Sequence, residues 1–160
     1  MSDSFPNGPV PVAPKPRILF VCIGNSCRSQ MAEAFARQYG SDVLIPASAG
    51  LAPAFIVAPD TVEAMLEKNL DLRDHFPKGI RQLGRSQFDL IVNMSGKSLP
   101  PDVTTPVIEW DVADPIGLSY KEHREVRDYI ERLVMNLILE LRRRQQEPKF
   151  KGHGSASQNS

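Results

Sequence analysis

The chain has 160 residues, 41% of them hydrophobic and 24% charged, which are the proportions of a single globular domain. Lysine plus arginine number 19, as do aspartate plus glutamate, and this balance gives no sign of nucleic-acid or anionic-membrane binding, so neither is expected. Two cysteines exclude a disulfide scaffold, no apolar run reaches a membrane span, and there is no apolar signal core at the N-terminus, so a reducing, cytoplasmic setting is expected, in which thiols do chemistry.

Residues 1–16 (MSDSFPNGPVPVAPKP) are proline-rich and have little to bury, which predicts a disordered tail. Arg17–Cys22 reads as a buried strand. Ser29–Tyr39 reads as a helix, with Met31, Phe35 and Tyr39 one turn apart and Gly40 as its stop. Val43–Ser48 is the second expected strand, and Pro59–Lys68 a helix with proline at its favoured early position. Phe76–Leu83 reads as a short helix, Phe88–Met94 as the third strand and Pro106–Trp110 as the fourth. Tyr120–Arg144 is a long helix, with Val126, Ile130, Leu133, Val134, Leu137, Ile138 and Leu141 on one face. Residues 146–160 are polar and Gly/Ser-rich, a flexible tail. Strands alternating with helices over 17–145 predict one α/β domain, a three-layer sandwich in which a four-stranded parallel, flavodoxin-like sheet carries helices on both faces. In such sheets ligands bind beyond the carboxyl ends of the strands, at the topological switch point.

The loop leaving the first strand at that end reads FVCIGNSCRSQMAE. A turn from strand into helix aims successive backbone N–H groups inward, and the helix dipole adds positive potential. Residues Ile23, Gly24, Asn25, Ser26, Cys27, Arg28 and Ser29 therefore make a candidate oxyanion cup, with Gly24 and Asn25 tolerant of the positive φ it needs. Arg28 offers a planar fork for two oxygens of a tetrahedral anion. Cys22 lies at the bottom of the cup in the same field, placed as a nucleophile for in-line attack, and Ser29 can donate to its sulfur. The loop lacks the Gly-Lys-Ser/Thr ending of a nucleotide-binding P-loop, which argues against ATP or GTP. Cys22 and Cys27, with no paired Cys or His nearby, fall short of the four ligands of a structural zinc site, so no metal is expected. Asp114, before Pro115, is on its own an ordinary turn residue, but cleavage at such a cup needs a proton donor on the same edge. Asp111 and Asp102 are the reserve candidates. His75, His123 and His153 show no partner pattern and read as surface residues.

VCIGNSCRSQMAEAFA resembles the signature of the low-molecular-weight protein tyrosine phosphatase superfamily, which includes the thioredoxin- and mycothiol-dependent arsenate reductases. ASAG (Ala47–Gly50) resembles that family's second-strand ending, FDLIVNM its third strand, and WDVADP (Trp110–Pro115) its acid loop. The resemblance implies the low-molecular-weight phosphatase fold, with Cys22 as nucleophile, Arg28 as oxyanion ligand and Asp114 as general acid. It also implies a reversible Cys22–Cys27 disulfide that shields the nucleophile; the residues by themselves are equally compatible with a half-buried loop cysteine. Gln30, and Ile116-Gly117 where the tyrosine phosphatases carry aromatic residues, resemble the arsenate side. The segment NMSGKSLPPDVTTP, however, lacks the resolving cysteines of the thioredoxin-coupled reductases. The resemblance thus implies an arsenate reductase that recruits an external thiol (mycothiol, glutathione or a thioredoxin system) or uses Cys27. An aryl phosphate or phosphotyrosine phosphatase working through a phosphocysteine is the alternative, and a non-catalytic oxyanion-binding module the second alternative.

Overall fold

The computed structural model describes residues 15–83 and 87–146; most of the two expected tails, 1–14 and 147–160, lies outside them. The chain runs through β1 (Arg17–Cys22), α1 (Arg28–Gly40), β2 (Ile45–Gly50), α2 (Pro59–Leu66), a 3-10 helix (Ile80–Leu83), β3 (Leu90–Asn93), β4 (Val107–Glu109) and α3 (Tyr120–Gln146). The four strands are parallel, in the order β2-β1-β3-β4. Winding reverses at β1, which has β2 on one side and β3 on the other. The loop after β1 therefore opens into the switch-point crevice.

Alternating side chains of β1 explain why its sequence is apolar without interruption. Ile18 and Phe20 face one side with Leu90 and Val92, where Met31 and Phe35 of α1, Met65 of α2, and Ile130, Val134 and Ile138 of α3 complete the main core. Leu19 and Val21 face the other side with Ala49 and Ile91, under Ile80 and Leu83 of the 3-10 helix, Phe88, Leu99 and Val103. Three α-helices thus cover one face of the sheet, and the 3-10 helix with its flanking loops covers the other. No described helix is long and apolar enough to cross a membrane.

Five elements fall short of the sequence expectation at one end or both. β2 begins at Ile45, not Val43: the amides of Val43 and Leu44 both donate to Gly40 O, at 2.9 and 3.0 Å, and close the end of α1. α2 stops at Leu66, because Asn69 takes a left-handed conformation (φ 61°) and Leu70 N returns to Met65 O at 3.0 Å. β3 and β4 are trimmed at both ends. Of Phe76–Leu83 only Ile80–Leu83 is helical. Pro77 drives Phe76 out of the helical region, and the stretch after it pairs instead with β2: Lys78 O accepts from Gly50 N at 2.9 Å, and Gly79 bridges Gly50.

Gly40 is a point of close approach between α1 and α3. A Cβ there would lie 2.7 Å from Ile138 Cγ1 and 2.8 Å from its Cδ1, inside the closed core. Replacing a helical glycine by alanine ordinarily gains about 1 kcal/mol. Here overpacking reverses the sign, and Gly40→Ala is expected to lose about 1–3 kcal/mol in denaturant unfolding. Combining it with Ile138→Val should cost less than the sum of the single losses. An unchanged or more stable Gly40→Ala protein would refute the close packing.

Candidate active site

Every backbone carbonyl from Cys22 to Cys27 has a donor from outside the cup. Cys22 O accepts from Leu51 N at 3.1 Å, Ile23 O from Ala52 N at 2.8 Å, Gly24 O from Ala54 N at 2.9 Å and Ser26 O from Ala58 N at 3.1 Å. Asn25 O takes the Gln30 side-chain amide at 3.2 Å, and Cys27 O the first helical bond of α1, from Met31 N at 3.0 Å. With the carbonyls turned outward, the amides of Gly24 to Cys27 turn inward, and they donate to no protein group among the described residues. The result is a ring of donors at the N-terminus of α1, the arrangement that binds tetrahedral anions. Asn25 (φ 51°) supplies the left-handed step of the ring. Gly50, at the end of β2, lies directly under it: a Cβ there would sit 2.6 Å from Ile23 O and 2.8 Å from Asn25 N.

Asn25 is fully buried and uses its whole side chain. Nδ2 donates to Ser29 Oγ at 2.7 Å and Ser48 Oγ at 3.0 Å; Oδ1 accepts from Lys78 N at 2.9 Å and Gln30 Nε2 at 3.1 Å. Ser29 Oγ, accepting from Asn25, shares a hydrogen bond of 2.9 Å with Cys22 Sγ and lies 3.5 Å from Ala49 O. Ser48 donates in turn to Glu33, which pairs with Arg37 at 2.8 Å. Burial holds the Lys78 ammonium below the usual lysine range, and Glu33 works against that. The roles of Ser48, Glu33 and Lys78 were not legible in the sequence, since Lys78 lies far along the chain from the loop it supports.

Arg28, 4% exposed, spends Nη1 on two carbonyls, Met94 O at 2.6 Å and Val112 O at 3.1 Å. This ties the ends of β3 and β4 to the cup. Nη2 lies 3.5 Å from Asp114 Oδ2, and the Nε edge remains for an anion. Asp114 is half exposed, its Oδ1 accepting from Ile116 N at 3.1 Å. Cys22, Arg28 and Asp114 are thus brought to one edge of the sheet. Asp111 lines a neighbouring cavity of about 390 Å³ with Arg28 and Trp110, while Asp102 lies in a groove with Leu19 and Phe88, on the opposite sheet face.

Cys22 and Cys27 are both free thiols and both buried. Burial pushes the Cys27 thiol up to about 11; the Thr61 hydrogen bond lowers it, and Cys22 and Asp114 raise it further. His123 is a correction to the surface reading: it is 2% exposed and contacts Thr61 Oγ1 through Nε2 at 2.9 Å. His75 is partly exposed with Nδ1 3.3 Å from Gln30 Oε1, and His153 lies outside the described residues. No group of three or more potential metal ligands occurs among the described residues.

The family model of the low molecular weight phosphotyrosine protein phosphatases matches residues 17–101, which include the whole cup and end before Asp114. The chain is 33% identical over 129 residues to the glutaredoxin arsenate reductase of Synechocystis sp., covering 78% of this chain and 98% of that protein. It is 38% identical over 122 residues to an arsenate reductase of Bacillus cereus, covering 72% and 89%. A solved arsenate reductase in the phosphate binding state superposes with a TM-score of 0.72 at 33% identity, over 79% of this chain and 98% of that one.

The contact of Gly50 with the ring yields a sharp test. In Gly50→Ala the backbone of residues 23–25 has to move while the sheet stays paired. Phosphate should then no longer protect Cys22 from iodoacetamide, and turnover should fall about 100-fold, the usual cost of a displacement near 1 Å. Wild-type phosphate protection in this variant would show that the ring does not rest on Gly50.

Proposed function

The chain belongs to the low molecular weight phosphotyrosine protein phosphatase family, and within it we propose an arsenate reductase that uses Cys22 as nucleophile and an external thiol as reductant. The observation that carries the reading is the ring of inward amides beside a buried thiol, with the buried Arg28 at the same helix start. The relatives of similar length named arsenate reductase support the choice of oxyanion.

In this mechanism the ring and Arg28 hold three oxygens of arsenate. Cys22 Sγ attacks arsenic opposite the fourth oxygen, and Asp114 protonates that oxygen so that it leaves as water. Arsenic is still As(V). A thiolate from outside then attacks Cys22 Sγ. The electron pair of the S–As bond stays on arsenic, arsenite departs, and a mixed disulfide remains. A second thiol frees Cys22, so two thiols supply two electrons. The reductant comes from outside because the sequence holds only Cys22 and Cys27, and Cys27 rests protonated near neutral pH. Glutathione, mycothiol and thioredoxin systems are the chemical candidates, in a reducing cytoplasm.

Aryl phosphate hydrolysis is the second reading. Phe55 is fully exposed on the segment that holds the ring, and Ile116 is exposed beside Asp114, apolar surfaces that an aryl group could touch. Cys22 would then carry a phosphocysteine, and Asp114 would activate the water that cleaves it.

Both readings meet in one experiment, NADPH oxidation with arsenate under each of three recycling systems beside hydrolysis of aryl phosphates. Arsenate-dependent NADPH oxidation that is lost in Cys22→Ser is the expected result. Hydrolysis alone would identify a phosphatase, and neither activity would leave an oxyanion-binding module. Asp114→Asn should slow hydrolysis of esters with poor leaving groups about 10²–10⁴-fold and activated esters much less. An identical leaving-group dependence in wild type and variant would remove Asp114 as the acid.

A further inference from the structure

We propose that residues 1–14, the segment that precedes β1, dock onto their own chain in the groove on the sheet face opposite the three α-helices, and so complete a layer that the 3-10 helix only begins. This docking is independent of the chemistry at Cys22.

The two faces of the sheet are covered unequally. On one face α1, α2 and α3 close the main core, where Phe20, Phe35 and Ile130 are fully buried. On the other sits the four-residue 3-10 helix, held on the β2 side by the bridge between Gly79 and Gly50. Between it and the β3–β4 connection lies a groove of about 780 Å³. Leu19 of β1 and Ile91 of β3 form its floor, Ile80 and Val103 border it, and Phe88 stands where β3 is about to begin. Ile80, Phe88 and Val103 pack on the smaller core and yet stay only partly buried. Apolar surface left half-covered in this way favours an apolar chain laid over it.

The chain's own N-terminal segment fits this groove by position, length and composition. Side chains 17, 19 and 21 of β1 alternate onto the groove face. Arg17 Cζ accordingly lies 5.3 Å from the centroid of the Phe88 ring. Arg17 O accepts from Asp89 N at 2.8 Å, and Pro16 O from Ile45 N at 2.9 Å, which fixes the entry of the chain at this end of the sheet. Residue 14 stands three positions before the Arg17 contact. In a polyproline II conformation 14 residues span about 40 Å. From β1 to β4 the sheet is about 10 Å wide, two strand spacings, and β1 is about 20 Å long. The segment therefore reaches the whole groove and has length left for the turn at the sheet end.

Its sequence, MSDSFPNGPVPVAP, offers Phe5, Val10 and Val12 and one charged side chain, Asp3. The prolines at 6, 9, 11 and 14 have no N–H to satisfy, and their φ is fixed before docking, so the segment packs through side chains at a small entropic cost. Residues 147–160 do not compete for the groove. They follow α3, which packs on the opposite sheet face and is pinned there by Arg142 and Asp42 at 2.9 Å, and Phe150 is their one large apolar residue. The groove opens towards the amino end of β1 and the cup lies at its carboxyl end, so docking leaves the cup open.

The test uses the full chain in two forms. In the first, Val10→p-benzoylphenylalanine is irradiated and its adducts are mapped by peptide mass spectrometry. Adducts within one chain to 80–91 or 99–105 are the expected result. Adducts to α1, α2 or α3, or scattered over the surface, overturn the docking. Adducts that join two chains make a second copy the occupant and overturn it equally. The second form, Val10→Asp with Val12→Asp, keeps length and prolines but places two charges against the apolar floor. Hydrogen exchange at the amides of 80–83 and 103–105 should become about tenfold faster or more, while exchange in α1 and phosphate protection of Cys22 keep their wild-type values. Wild-type exchange in both stretches would show that the groove does not hold this segment.

Discussion

Hydrogen bonds from the amides of Leu51, Ala52, Ala54 and Ala58 to the carbonyls of Cys22, Ile23, Gly24 and Ser26 are the constraint on which the site depends. A peptide group whose carbonyl is fixed outward has its N–H fixed on the opposite side. Four such bonds therefore orient the ring without any side chain reaching into it. The same bonds explain the absence of a β-carbon at position 50, where β2 hands the chain to that segment directly beneath the ring. Residues 51–58 form neither helix nor strand, and four of their amides, those of Leu51, Ala52, Ala54 and Ala58, are committed to the loop.

Around this ring the protein adds two kinds of support. Asn25, Ser29, Ser48, Gln30 and Lys78 form a fully paired network on the β2 side, with a hydroxyl at Cys22 as its output. Arg28 does the same on the β3 and β4 side. Two of its protons hold Met94 O and Val112 O, so the proposed anion ligand is also a clamp on the segment that leads to Asp114. A lysine at position 28 would keep the charge but not the fork, and would lose hold of one strand end or the other. The proposed anion grip and the proposed acid, Asp114, are thus coupled through a single buried guanidinium.

The two thiols of the loop occupy different chemical settings, although only four residues separate them. Cys22 faces the ring and Ser29. Cys27 is sunk between the cup and α2, where burial keeps it protonated. On the proposed reading, that division keeps a second nucleophile from competing for the oxyanion.

Local pattern by itself determined much of this protein. The apolar run of β1, the proline that opens α2, the long apolar stripe of α3 and the Cys-to-Arg spacing at a strand–helix junction are short-range signals, and they located the parallel sheet, the cup, Cys22 and Arg28. Local pattern placed the ends of elements less well. Whether Val43 starts a strand depends on Gly40 O, and whether Phe76 to Gly79 coil depends on Gly50, groups outside each segment. His123 was misread for the same reason. One polar residue near the start of an amphipathic helix looks solvent-exposed until α2 brings Thr61 against it, a partner 62 positions away. Tertiary structure alone decided which polar side chains are buried and paired, because the free energy of burying a donor or acceptor is set by the partner that meets it, and that partner comes from elsewhere in the chain.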